Sequence, residues 1–467
     1  MSEDSEIDVS EWEQASTKKM VSYSLGYLIS GGSAGFFNTI IFYYYEVEIG
    51  LPVALLGLSF VIYAIWNMVN DPLLGYLTDK PFRWTKKYGM RFPWMVMSSI
   101  PMIICWVLLF LAPKVTPSNV WIVFWYFVII SCLLDTFYSL YLIHLSAGYT
   151  TYFRTDAERR KASLIVNIVP RVLGVPLVFI VLVIVEYGNR ESYILATYIV
   201  AIILAILMIL LIPGIRETEE MKERFIQGFK NKKRESFLKS MKLAFHQRSF
   251  IVSFFVFLLM ALAGTLYTAS GIYFMKDILG LPLSYYGLVG LGSFIGIILF
   301  IPFWSNVQRR IGAGKTMKIS ILLIAISYLP LLWMTTLGEA IIYGFVGGVC
   351  SGGFFVALGP VAADVNDDFT ITNGIHQEGT LAGIRAFFNR FSLIFQAVIF
   401  TVVHIITGYN PDPKAVQTPL AIWGIRVHMG LIPSLLSVLS FLVMYIWYNL
   451  EGEKQLALKG KLRELGL

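Results

Sequence analysis

The sequence predicts an all-α membrane protein in which twelve transmembrane helices form two six-helix bundles. Three observations carry this. First, 57% of the 467 residues are apolar and only 14% are charged, against about 25% charged in an ordinary soluble domain. Second, twelve apolar runs are each long enough to cross a hydrocarbon layer of about 30 Å. Third, one long polar stretch interrupts them after the sixth run. Few runs alternate with period two, which argues against a membrane β-barrel. The mean hydropathy of +0.68 excludes a soluble enzyme, a nucleic-acid binder and a disordered scaffold.

Residues 1–20 form a polar, acidic tail. They lack the basic start and short apolar stretch of a secretory signal, so the first apolar run is expected to remain in the mature chain. The N-terminal bundle spans 21–212, with runs at 21–46, 52–77, 92–112, 119–145, 164–186 and 192–212. Residues 213–248 are polar and mixed in charge, with Lys230, Lys232, Lys233 and Arg234 clustered. This stretch reads as a linker whose basic cluster meets lipid headgroups. The C-terminal bundle spans 249–450, with runs at 249–275, 284–304, 319–336, 340–363, 384–408 and 425–450. A tail at 451–467 closes the chain.

Charge sets the orientation. Lys80, Arg83, Lys86, Lys87 and Arg91 follow the second run, Arg154, Arg159, Arg160 and Lys161 follow the fourth, and Arg309, Arg310, Lys315 and Lys318 follow the eighth. The opposite connections hold Lys114, Arg190, Lys276 and Lys414, one each. The positive-inside rule then places the even-to-odd connections, and with them both termini, in the cytoplasm of a cell-membrane protein. Cys105, Cys132 and Cys350 lie in apolar runs and match no zinc or redox spacing. The GAGKT at Gly312–Thr316 has Arg309 where a phosphate-binding loop needs glycine, and no strand precedes it. No cofactor or metal is expected, and energy must come from an ion gradient.

Ionisable groups inside a membrane are costly and point to function. The second run carries Asn67, Asn70 and Asp71 before Pro72. Proline donates no N–H, so the Met68 carbonyl is freed. A carboxylate, two amides and a free carbonyl suit a cation or a proton. The fourth run adds Asp135, with Tyr138 one turn on, and Asp135 has no charged neighbour at i±3 or i±4. Its partner must come from another helix, or it is protonated when buried. Arg171 beside Pro170, and Arg390, are the cations within reach, so Asp71 or Asp135 is expected to pair with one of them. Arg385 reads as an anchor at the cytoplasmic end. His144, His404 and His428, near helix ends, and the aromatic run Tyr43–Tyr45 read as structural, with a proton relay the alternative for the histidines.

Six runs, a long loop and six more runs match the layout of the major facilitator superfamily. Within it, IWNMVNDPLLGYLTDK followed by RWTKKYGMRFPW resembles the signature of the melibiose-permease-like glycoside–pentoside–hexuronide:cation symporter family. GPVAADVNDDFTITNGIHQEGTLAGIRAFFNRFS, YYYEVEIGL and YNLEGEK extend the resemblance over nearly the whole chain. It implies a substrate cavity between the bundles, with cation coupling at Asp71 and Asp135. Asn67 stands where the family has a further acid, and Asn70 lies between. For the substrate the resemblance implies Asp135, Tyr138, Arg390 at the family's helix 11 cation, Phe355 at its helix 10 aromatic, and Arg171 one turn from its helix 5 arginine. Gly31 stands at the family's sugar-binding aspartate. Gly75, Asp79, Arg83 and Arg91 fit the superfamily's cytoplasmic gating loop, where Gly75 is expected to allow close helix approach.

These matches imply a symporter for a sugar, glycoside or related polar organic solute, working as a monomer in the lipid bilayer by alternating access. The missing acid at Asn67 favours a proton over sodium as the coupling ion. The aromatic-rich, acid-poor first run suggests a lysolipid or other amphiphile as an alternative cargo. A receptor that does not transport is the alternative from another class, although no soluble output domain is visible. No nucleic-acid partner is expected.

Overall fold

The computed structural model describes residues 15–78, 80–153, 155–230, 237–374 and 378–464. Asp79, Arg154 and the basic residues Lys232, Lys233 and Arg234 therefore lie outside the described residues. Twelve helices are long and apolar enough to span a membrane: α1 Thr17–Glu48, α2 Val53–Thr78, α3 Phe92–Phe110, α4 Val120–Tyr152, α5 Glu158–Ile184, α6 Arg190–Ile215, α7 Arg248–Ile278, α8 Ser284–Ile311, α9 Ala313–Leu332, α10 Leu337–Asn373, α11 Gly383–Thr407 and α12 Pro419–Trp447. No strand occurs among the described residues. A chain in hydrocarbon must satisfy its backbone internally, which long helices do. Several helices outrun their apolar stretches by one or two turns. Thr155-x-x-Glu158 and Thr336-x-x-Glu339 form reciprocal capping boxes that start α5 and α10 in polar sequence. The polar linker holds two short helices, Glu219–Lys230 and Phe237–Ala244.

The twelve helices form two bundles with one packing plan. In the first, α1 packs on α5 and α6, α2 on α4, and α3 on α4 and α6; in the second, α7 packs on α11 and α12, α8 on α10, and α9 on α10 and α12. Each contact of one bundle recurs six helices later. Sequence follows the same repeat where α1 and α7 end. FYYYEVEIGLPVALLG at 42–57 and IYFMKDILGLPLSYYG at 272–287 share Tyr, Gly-Leu-Pro and a final Gly at an offset of 230. Both helices finish in a π-helical turn, Tyr44–Glu48 and Phe274–Ile278. Gly50 and Gly280 then take φ of +82° and +63°, a region that glycine adopts without a Cβ penalty.

Twelve crossings put both termini on one side, here the terminal side; the other is the far side. Between the bundles α1 meets α7, α2 meets α11, and α5 meets α8. These contacts concentrate on the far side. Thr401 Oγ1 donates to the Val53 carbonyl at 3.2 Å, and Phe42 packs on Phe400. A Cβ built on Gly57 would fall 2.2 Å from Thr401 Oγ1, and one on its repeat partner Gly287 would fall 2.5 Å from Phe179. Both glycines are therefore required for the bundles to meet. Toward the terminal side, a Cβ on Gly75 or Gly359 meets nothing within 4 Å, and Leu73, Tyr76 and Leu77 of α2 are exposed. The molecule is closed on the far side and open on the terminal side.

Replacing Gly57 by leucine should pry the far side apart. Overpacking costs about 1–3 kcal/mol, enough to lower the closed population about tenfold. Spin labels at Ser118 and Val416, on far-side loops of the two bundles, should shift to longer separation in Gly57→Leu. An unchanged distance distribution would contradict this packing.

Candidate functional site: the cavity between the bundles

Helix α2 continues through Pro72, and its polar residues divide by face. Asn67 and Asn70, three apart, turn toward α4. Their amide nitrogens donate to the two oxygens of Asp135, at 2.5 Å to Oδ1 and 3.3 Å to Oδ2. Asp71 lies one turn beyond Asn67 and faces α11, where Arg390 Nη2 donates to its Oδ2 at 3.0 Å. Arg390 stands at a break in α11, between Glu378–Asn389 and Phe391–Thr407. Its N–H reaches back to the Phe387 carbonyl in a tighter turn. A helix broken at mid-depth frees backbone and side chain to face a cavity.

The four residues singled out for cation coupling, Asn67, Asn70, Asp71 and Asp135, thus form one cluster with Arg390 across the bundle interface. Asp135 is 4% exposed, and both its oxygens are taken by amides rather than by a cation. Asp71 Oδ1, Asn67 Oδ1 and Arg390 Nε are buried without a hydrogen-bond partner. Two acceptors and one donor are therefore left over. When ionised, two carboxylates beside one guanidinium carry a net charge of −1 in a low-dielectric interior, where an uncompensated charge costs several kcal/mol.

A cavity of about 360 Å³ opens beside this cluster, lined by Asn38, Tyr63, Trp106, Asp135, Tyr138 and Arg390 among others. Its size falls within the range of small-molecule sites. Asp135, Tyr138 and Arg390 were expected there. Phe355 and Arg171 were also expected to touch substrate, and the structure places both outside the cavity lining. Phe355 is 51% exposed and outside the lining, packed against Phe354. Arg171 is exposed on α5, outside the lining, and has no ion-pair partner among the described residues. Asn38 and Trp106 were missed. Asn38 is the sole asparagine of its apolar run, a signal that was available; Trp106 sits among apolar neighbours and gave none.

The gating residues divide as well. Asp79 lies outside the described residues. Gly75 makes no close helix approach, because the bundles stand apart at its level. Arg83 is exposed. Arg91 anchors through its backbone: the Glu217 carboxylate accepts from the N–H groups of Met90, Arg91 and Phe92 at 2.6–3.2 Å, capping the positive end of α3. This loop is thus tied to the linker after its own bundle. Arg385 holds Asn366 Oδ1 at 3.1 Å, an anchor away from the cavity.

A family model described as MFS/sugar transport protein matches residues 22–452. The chain belongs to this family. It is a multi-pass membrane transporter of the major facilitator type, and its helix count and paired bundles agree with that family. This MFS transporter is 22% identical over 92% of its length, and 84% of the relative, to a sodium-dependent lysophosphatidylcholine symporter 1-A of Danio rerio. It is 24% identical over 92% of its length, and 90% of the relative, to the uncharacterized symporter YnaJ of Bacillus subtilis. Among solved structures it resembles the nucleoside transporter NupG, with TM-score 0.61 and 15% identity over 92% of this chain and all of that one. It also resembles a D-xylose–proton symporter, with TM-score 0.60 and 15% identity over 92% of this chain and 98% of that one. At these identities the structural likeness shows the fold.

The Asp71–Arg390 pair should be energetically coupled. A double-mutant cycle with Asp71→Asn and Arg390→Gln, read by thermal unfolding in detergent, should give an interaction of about 0.5–3 kcal/mol. Additivity of the two single changes would contradict the pair.

Proposed function

We propose that the protein is a cation-coupled symporter that carries a sugar, glycoside or related polar organic solute by alternating access, with a proton favoured over sodium. One observation carries this reading: two carboxylates and one guanidinium cluster at the bundle interface, Asp135 and Arg390 lining the cavity and Asp71 paired to Arg390, so one further positive charge neutralises the cluster. Binding of that charge and of solute in the same cavity links the two. Arg390 from one bundle and Asp71 from the other must separate or re-pair when the bundles rock, so the ion and the solute bias the same conformational equilibrium.

A proton is favoured because Asn67 and Asn70 present amide nitrogens to Asp135, and because Asp71 is engaged by Arg390. A sodium ion needs several oxygens converging on one point, whereas a proton needs one carboxylate. The sodium dependence in the names of the lysophosphatidylcholine symporters belongs to those proteins. The basic connections Lys80–Arg91 and Arg309–Lys318 lie on the terminal side, which we assign to the cytoplasm. The described conformation is then inward-open. Each chain carries a whole cavity, which supports function as a monomer.

A second reading, an amphiphile such as a lysolipid, is favoured by the largely apolar remainder of the lining, including Phe37, Met102, Leu134 and Leu204.

Uptake into proteoliposomes with an imposed proton or sodium gradient tests both readings, using sugars, glycosides, sulfonated sugars and lysophospholipids. A proton gradient should drive accumulation of a polar solute. Asp71→Asn should abolish accumulation while leaving exchange, and concentrative uptake by that variant at the wild-type rate would remove Asp71 from the coupling site. Asn67→Asp should add sodium stimulation by supplying a carboxylate oxygen to the cluster. Sodium-stimulated uptake by the unaltered protein, indifferent to a pH gradient, would reverse the ion assignment. Binding without uptake of any compound would favour a receptor.

A further inference from the structure

The far-side closure holds a second set of titratable groups that the cavity does not use. Glu46 ends the apolar run of α1. His404 lies near the end of α11, and His428 lies in a π-helical turn, Val427–Leu431, of α12. All three are buried, at 2%, 3% and 0% exposure. Glu46 belongs to the first bundle and its partners to the second. Its Oε2 accepts from the Tyr273 hydroxyl of α7 at 2.5 Å, and its Oε1 lies 2.7 Å from His404 Nδ1. His404 Nε2 faces His428 Nε2 at 3.4 Å. His428 Nδ1 lies 2.6 Å from Ser270 Oγ, which is also 2.6 Å from the Leu266 carbonyl. Separating the bundles on the far side must break both bonds to Glu46.

The hydrogens in this chain can be counted. A carbonyl only accepts. If the Ser270 hydroxyl donates to Leu266, its oxygen must accept from His428 Nδ1–H. Neutral His428 then has a bare Nε2, which accepts from His404 Nε2–H. One hydrogen lies between His404 Nδ1 and Glu46 Oε1, and we place it on the nitrogen, which then donates to the carboxylate. His404 thus carries two hydrogens and is an imidazolium facing a carboxylate. If the Ser270 hydroxyl turns instead to His428 Nδ1, His428 carries its hydrogen on Nε2 and donates to a bare His404 Nε2. His404 is then neutral and still donates to Glu46 through Nδ1. Both arrangements satisfy every member. They differ by one proton and one hydroxyl rotation, with no heavy atom displaced.

The surrounding charges do not substitute for that proton. On α7, Lys276 and Asp277 pair with each other at 3.0 Å, and Tyr409 donates to Asp277 at 3.0 Å while its ring stacks on His404. On α1, Glu48 is turned away and accepts the Gly188 N–H at 2.8 Å. Tyr43 packs its ring against Tyr273.

We propose that Glu46, His404 and His428 form a one-proton binding site that latches the far side, so that the closed state holds one more proton than the far-side-open state. In the closed state the imidazolium meets a carboxylate out of water, and a charge-assisted bond joins the bundles. Once the bundles part, His404 and Glu46 are hydrated separately, and the imidazole no longer faces a carboxylate that favours its extra proton. Closure therefore takes up a proton from the far-side solution. This latch rests on the alternating-access reading for its direction, toward the outside of the cell. It is separate from the cavity cluster of Asp71, Asp135 and Arg390.

The test measures conformation, not transport. Spin labels at Ser118 and Val416 are introduced into full-length protein in nanodiscs, with the three native cysteines replaced by alanine. The closed-to-open ratio should rise as pH falls from 8 toward 6.5, by up to tenfold per pH unit for one linked proton. His404→Gln keeps a donor for Glu46 but takes no proton, and it should flatten this response. Glu46→Gln removes the carboxylate and should flatten it too, which guards against a folding defect in one variant. A pH-independent ratio in the unaltered labelled protein, or a slope that survives in both variants, would overturn the site. A pH-dependent ratio lost in the variants, in a protein that accumulates no solute, would uphold the latch and instead refute the symport reading.

Discussion

A charge in a low-dielectric interior must find a counter-charge, a set of donors or a proton, and this constraint organises the molecule. Among the described residues, Glu46, Asp71 and Asp135 are three buried or half-buried carboxylates at or near the bundle interface. Each is satisfied differently. Asp135 is held within its own bundle by two amides of α2. Asp71 reaches across to Arg390. Glu46 reaches across to Tyr273 and His404. The first arrangement is indifferent to how the bundles sit; the other two exist only while particular surfaces face each other. Polar bonds of this kind distinguish one packing of the bundles from another, whereas apolar contacts with lipid or protein differ little in free energy.

The repeat of the two halves explains where motion is possible. The same contact plan in each bundle leaves α1, α2 and α5 facing α7, α11 and α8 as symmetric partners. Gly57 and Gly287 occupy equivalent positions and remove the Cβ atoms that would hold α2 from α11 and α8 from α5. Far-side closure is thus built on two glycine seams and one polar latch. The terminal halves of the same helices face open space at Gly75 and Gly359, as one end of the proposed rocking equilibrium would.

Most of the fold was legible in the sequence, because hydrocarbon thickness forces long apolar runs and twelve are present. Helix ends were less legible: capping boxes at Thr155 and Thr336 extend helices into polar sequence that hydropathy assigns to loops. The cluster on α2 was legible because Asn67, Asn70 and Asp71 stand out in an apolar run, and Arg390 followed from the need for a cation. Arg171 and Phe355 lie outside the cavity lining, and a sequence match along a helix does not by itself say which side chains reach a cavity. The role of Gly75 failed because a close approach depends on conformational state. His404 and His428 were read as structural because each is unremarkable alone. Only the fold brings them to Glu46, 358 residues from His404 in the chain. The 230-residue repeat at the ends of α1 and α7 was visible in the sequence and would have marked both far-side turns as equivalent.

In the proposed cycle, two rigid bundles expose one cavity to either side in turn. Interspin distances measured on both sides of the same protein test it most directly, with one label pair across the far side and another at Leu77 and Gly383 across the terminal side. The account predicts reciprocal populations: any condition that lengthens the far-side distance shortens the terminal-side one to the same extent. Distances that lengthen together, or a terminal side that stays open whatever the far side does, would contradict it.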